Sequence, residues 1–172
     1  MNKILINILL ATVSTFALTL NEVPKEVTLS GSNGGLVDGT AWHSTMLKDK
    51  LHVIFYVSPN KKDDNEAFLD ALDKKDYDKT EYGLIAIINL KATWLPNFAI
   101  EEKLKSRQEE FPDTLYIKDK TKYLVKEWAL ADDTSNIIIF DKEGKVIYQH
   151  LGKIAPKEMN NIFTLIEKNL NR

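Results

Sequence analysis

Cysteine is missing from all 172 residues of this chain. That excludes thiol–disulfide exchange, thiol-based peroxide reduction and thiolate metal sites. It also leaves the core without disulfide staples, so apolar burial has to hold it. Charge of one sign is lacking as well: 23 Lys and Arg face 25 Asp and Glu, a formal net charge of −2. Acids and bases alternate, as in Lys61-Lys62-Asp63-Asp64 and Asp73-Lys74-Lys75-Asp76. A nucleic-acid binder gathers a basic face, whereas this alternation makes a solvated surface, and nucleic acid is not expected as a partner. Neither a Gly-x-x-x-x-Gly-Lys phosphate loop nor a Gly-x-Gly-x-x-Gly fingerprint occurs, and no cofactor is called for. His43, His52 and His150 stand far apart without metal-ligand spacing, so no metal site is expected.

Long apolar runs are also scarce. After residue 20 none is long enough to span a bilayer. The exception is the start, where Lys3 precedes an apolar stretch from Ile4 to Leu20 that stops at Asn21-Glu22 near Pro24. A positive n-region followed by an apolar h-region is the pattern of a secretory signal, and Thr15 and Ala17 supply small residues before a cut. Residues 1–20 are therefore expected to be a signal peptide, and 21–172 a single domain outside the cytoplasm.

What is present reads as alternating strands and helices. Val27-Thr28-Leu29 suits a short strand, and Ser30-Gly31-Ser32-Asn33-Gly34-Gly35 a turn. Leu51 to Val57 is a β-branched and aromatic run fit for a buried strand. Ser58-Pro59-Asn60 breaks it, and a helix is expected from about Asp63, with Phe68, Leu69 and Leu72 on one side. Leu84 to Ile88 is almost continuously apolar, the mark of a strand covered on both faces. A charged helix follows from Ala99 to Glu110, then a strand at Leu115-Tyr116-Ile117 and a short helix from Thr121 to Trp128. Ile137 to Phe140 and Val146 to Tyr148 flank Asp141-Lys142-Glu143-Gly144, a hairpin signal. Pro156 opens a last helix, whose apolar face carries Met159, Ile162, Phe163, Ile166 and Leu170. Parallel strands joined by helices, closed by a hairpin, predict an α/β fold with a mixed central sheet flanked by helices in three layers.

This order resembles the thioredoxin-like fold. The last third carries a narrower resemblance in Trp128-Ala129-Leu130, Ser135, Ile137 to Phe140, Asp141 to Val146, Gly152 and Pro156-Lys157-Glu158. These residues are similar to the YtfJ-like family of exported bacterial proteins with a thioredoxin-type fold. The resemblance implies a periplasmic location. It also places the two cysteine positions of redox members near Asn60 and Asp63, both read here as helix caps. Ser135 stands where redox members carry a cis-proline, and its peptide bond is expected to be trans.

The degenerate groove formed by Asn60, Asp63, Thr134 and Ser135 is then the candidate binding site. It would serve a non-redox binding or interaction module that takes an envelope protein or small ligand. The alternative is a cysteine-independent enzyme, carboxylate- or metal-dependent, using Asp63, Asp132 or Asp133. It requires a raised carboxylate pKa in a cleft. Trp94, in Lys91 to Phe98, is read as part of a satellite cluster covering a sheet edge, and Trp128 as core.

Overall fold

The computed structural model describes residues 18–171. In chain order the elements are β1 (Thr28–Leu29), β2 (Gly34–Leu36), β3 (Trp42–His43), β4 (Leu51–Val57), α1 (Glu66–Asp73), β5 (Tyr82–Asn89), α2 (Asn97–Glu110), β6 (Thr114–Asp119), α3 (Tyr123–Glu127), β7 (Ser135–Phe140), β8 (Val146–Leu151) and α4 (Pro156–Leu170). Residues 1–17 of the expected signal peptide lie outside the described residues. Leu18, which the sequence reading assigns to that leader, is buried in the core.

Six strands form one sheet in the order β2-β6-β5-β4-β7-β8. β4, β5 and β6 run parallel, while β2, β7 and β8 are antiparallel to their neighbours. All seven residues of β4 are buried, as a central strand covered on both faces must be. Alternation along the strand divides them between two layers. Leu51, Val53, Phe55 and Val57 pack with Phe68 and Leu72 of α1 and with Ile162, Phe163 and Ile166 of α4. Ile54 and Tyr56 turn to the opposite layer, against Trp42, Leu124 and Trp128. The rings of Trp42 and Trp128 meet edge to face, with centroids 6.3 Å apart, a favoured geometry for aromatic pairs. The expected three layers are present. On the Trp side, however, the short α3 shares the covering with the separate β1–β3 ladder.

Asp119 shows how the sheet fixes that side. Its carboxylate is fully buried and accepts hydrogen bonds from the backbone N–H of Thr121, Tyr123 and Leu124 and from the Tyr56 hydroxyl. The end of β6 thus caps the opening turn of α3, whose first N–H groups have no partner within the helix. Burial first, and then the Asp119 charge, push the Tyr56 hydroxyl far above its ordinary range.

Two boundaries differ from the sequence reading. The expected turn through Gly35 runs instead into β2, with Gly34 opposite Asp119 and Leu36 opposite Ile117. Gly34 has φ 134°, and a Cβ there would lie 1.8 Å from the Lys118 carbonyl oxygen; only a residue without a side chain permits this approach. The helix expected from Asp63 begins at Glu66. Between Ser58 and Glu66 the bonds run three residues apart, from Lys61 N to Ser58 O, Asp64 N to Lys61 O and Glu66 N to Asp63 O. The first four-residue bond is Leu69 N to Asn65 O, at 2.9 Å. Tight 3₁₀ turns therefore occupy the stretch in which Asn60 and Asp63 were read as caps.

Candidate functional site

The corner at the carboxyl end of β4 brings together the segments that the sequence pointed to. Val57 lies opposite Ser135 in the β4–β7 register, and Ser58 N donates to Thr134 O at 3.1 Å. Thr134-Ser135 therefore borders the exit of β4. No cis peptide bond occurs among the described residues, as expected for Ser135.

The side chains at this corner divide into an inner and an outer set. Ser135 is 1% exposed, and its Oγ accepts from Asn65 Nδ2 at 2.9 Å. Asn60 is exposed; it donates to Ala92 O and accepts from the Thr93 hydroxyl, each at 3.4 Å. Asp63 faces solvent, paired with Lys62. Among the described residues no hydrogen bond joins Asn60 or Asp63 to Thr134 or Ser135. Asn60 instead ties the corner to the loop after β5, while Ser135 belongs to the interior.

Two residues outside the sequence-derived set do more of the positioning. Asn65 donates from Nδ2 to Ser135 Oγ and to Gly152 O, each at 2.9 Å, and accepts from Ile154 N at 2.8 Å. One amide thus links the start of α1 to β7 and to the turn leading into α4. Nothing in its surroundings, an acidic and Lys-rich helix start, marks it in the sequence. Ser58 is also buried, with Oγ 3.1 Å from Asp133 Oδ1 and 3.3 Å from Ala92 O.

The carboxylates of the alternative reading lie in different settings, Asp63 facing solvent beside Lys62 and Asp133 within reach of Ser58 Oγ. Asp132 accepts from Asn89 Nδ2 at 3.0 Å and from the Asp133 backbone N–H, and pairs with Lys122. Partial burial pushes its carboxyl up, but the bonds and charge of Lys122, with the two N–H donors, outweigh this and hold it below the ordinary value. A catalytic carboxylate in the alternative reading needed the opposite shift. Because the folded value is depressed, the stabilisation from Asp132 is present above about pH 4, the unfolded carboxylate value, and is lost as the pH falls through the folded value. In a ¹³C-carboxyl NMR titration, Asp132 should titrate below ordinary aspartate. Lys122→Met should move its midpoint upward, since burial then acts with less opposition. An unmoved midpoint would remove Lys122 from the account.

The three imidazoles are separate. His43 shares a hydrogen bond with Thr28 Oγ1, while His52 and His150 bond to the carbonyls of Lys50 and Lys153. Among the described residues no group of three or more His, Asp or Glu side chains gathers as metal ligands.

The loop from Leu90 to Pro96, with the first turn of α2, departs most from expectation. Trp94 is 86% exposed and Phe98 72%, so Trp94 does not cover a sheet edge. The apolar cluster beside it is instead made by Leu90 with Ile100 and Leu104 of α2, packed against Val37, Ile88 and Tyr116. Asn89 Oδ1 accepts from Lys91 N, and Thr93 Oγ1 accepts from Leu95 N; these side-chain bonds hold the loop's bend while the aromatics stay outside. Trp128 is core as read, its indole N–H donating to Lys25 O at 2.9 Å.

Comparison with known proteins agrees with this fold. Residues 24–169 match the family described as bacterial protein of unknown function (YtfJ_HI0045). The chain is 23% identical over 131 residues to the uncharacterized protein YtfJ of Escherichia coli strain K12, covering 74% of this chain and 71% of that one. It is 23% identical over 144 residues to an uncharacterized Haemophilus influenzae protein, covering 82% and 77%. A putative thiol:disulfide interchange protein DsbE of Chlorobium tepidum superposes with a TM-score of 0.65 at 14% identity, covering 89% of this chain and 99% of its own. The fold is thus thioredoxin-like, and the chain belongs to the YtfJ_HI0045 family.

Proposed function

We propose that this family member is a non-redox binding module of the bacterial periplasm, docking a partner protein at the corner where β4 and β5 end. The observation that carries the reading is the pair of solvent-facing aromatics, Trp94 on the loop that Asn60 ties to the β4 exit and Phe98 in the first turn of α2. Exposed aromatics on a braced loop and the helix start that follows it are the side chains that dominate binding energy when a partner buries them. Leu95, 37% exposed, adds apolar area between them in sequence. The lack of cysteine supports a scaffold used for contact rather than exchange. A protein partner fits better than a small ligand. A cavity of about 190 Å³ lies away from this corner, between Tyr77, Tyr82, Phe111 and Thr114, at the end of the sheet where β5 and β6 begin. Delivery to the periplasm rests on Lys3 and the apolar run to Leu20.

A photo-crosslinking residue at position 94 of the exported chain should give a discrete adduct in living cells. The same residue at Lys157, exposed on α4, should not. Phe98→Ala should remove the adduct from position 94 while leaving the melting temperature within about 1 °C, because an exposed side chain contributes little to stability. Equal adducts from positions 94 and 157 would defeat the docking reading.

A further inference from the structure

We infer that the exported chain is processed at the Ala17–Leu18 peptide bond, three residues before the boundary that the apolar run suggests; this rests on the export reading above. Within residues 15–20, where the apolar run ends, the residue types alone allow two cuts with small side chains at the last and third-last positions. Thr15 with Ala17 gives a cut before Leu18, and Ala17 with Thr19 gives a cut before Leu20. Signal processing requires such small residues, and the folded domain separates the two options.

Leu18 is only 2% exposed and belongs to the core cluster of Trp42, Trp128 and Leu130. With Trp128, Leu130 and Ile138 it lines a small cavity of about 10 Å³. The following residues are built into the fold as well. Glu22 N donates to Thr19 O, closing a turn in which Asn21 has φ 65°. Asn21 N then donates to Val146 O at 2.7 Å, and Val146 N donates back to Glu22 O at 3.0 Å. A cut before Leu20 would strip a buried leucine from the Trp42–Trp128 layer. A cut before Leu18 leaves the arm intact. The step is a hydrolysis by the membrane signal peptidase: the Ala17–Leu18 C–N bond breaks, water supplies hydroxide to the Ala17 carbonyl, and its proton goes to the new Leu18 amine.

The test is to express the full chain in a Gram-negative host, fractionate the cells, and determine the product's N-terminus by intact mass and sequencing. A periplasmic product beginning at Leu18 is expected. Ala17→Tyr should abolish that product and accumulate uncut chain at the membrane. A product beginning at Leu20, or at any residue other than Leu18, overturns the site, as does an unchanged product from Ala17→Tyr. Uncut wild-type chain anchored at the membrane with its domain in the periplasm overturns processing but leaves export standing. Uncut chain in the cytoplasm overturns the export reading itself.

Discussion

Replacing Asn65 with alanine is expected to destabilise the fold by about 2–4 kcal/mol, the cost of stranding buried polar groups. For a chain of this size that lowers the melting temperature by roughly 5–12 °C. The magnitude follows from what the amide joins. Ile154 N–H loses its acceptor, and Gly152 O and Ser135 Oγ lose donors, in a region where Asn65 and Ser135 are 5% and 1% exposed. Water cannot replace these bonds without entering the packing. Asn65→Asp should not rescue the loss. It keeps an acceptor for Ile154 N–H, but it places negative charge against the Gly152 carbonyl and removes both donations. Ser135→Ala should cost less than Asn65→Ala, because it strands only one N–H. Thermal unfolding followed by circular dichroism ranks the three variants. An Asn65→Ala protein that melts within about 1 °C of wild type would show that the amide does not brace α1 against β7 and the approach to α4.

Gly34→Ala is the second large effect. The added methyl would sit 1.8 Å from the Lys118 carbonyl oxygen and 2.8 Å from its carbon, on backbone at φ 134°. Backbone on both sides leaves no flexible side chain to give way, so β2 must leave β6. The expected cost is about 3 kcal/mol or more, from strain combined with lost pairing. Hydrogen exchange should speed up at Leu36 and across β6, while β4 and β7 stay protected. Gly39→Ala is the control. Its φ is 93°, but a Cβ there meets nothing within 4 Å, so only the conformational penalty of about 1–2 kcal/mol remains. If the two variants unfold alike, the close approach at Gly34 is not what matters.

The parts legible in the sequence were those with a strong local signal. The β-branched run Leu51 to Val57, the apolar Leu84 to Ile88, the Asp141-to-Gly144 turn, and the helical spacing of Ile162, Phe163 and Ile166 each became the expected element. Parts set by distant partners were not legible. Gly34-Gly35 looks like a turn because β2 exists only through its pairing with β6, some eighty residues later in the chain. Asp63 looks like a helix cap because acids favour first turns, yet the 3₁₀ turns after Ser58 delay the helix by three residues. Asn65 is one polar residue among many until the fold brings Ser135 and Gly152 to it. Trp94 shows the opposite case: apolar character suggests burial, but the cluster beside it is made by Leu90, Ile100 and Leu104, and Trp94 stays 86% exposed.

The lap of Asn21 and Glu22 over Val146 bears on how the molecule behaves at high concentration. An outer strand with free amides and carbonyls invites a second copy to extend the ladder. Here the first rung of β8 is already taken by the chain's own leading segment. A form lacking that segment would leave the Val146 amide and carbonyl open to such an extension.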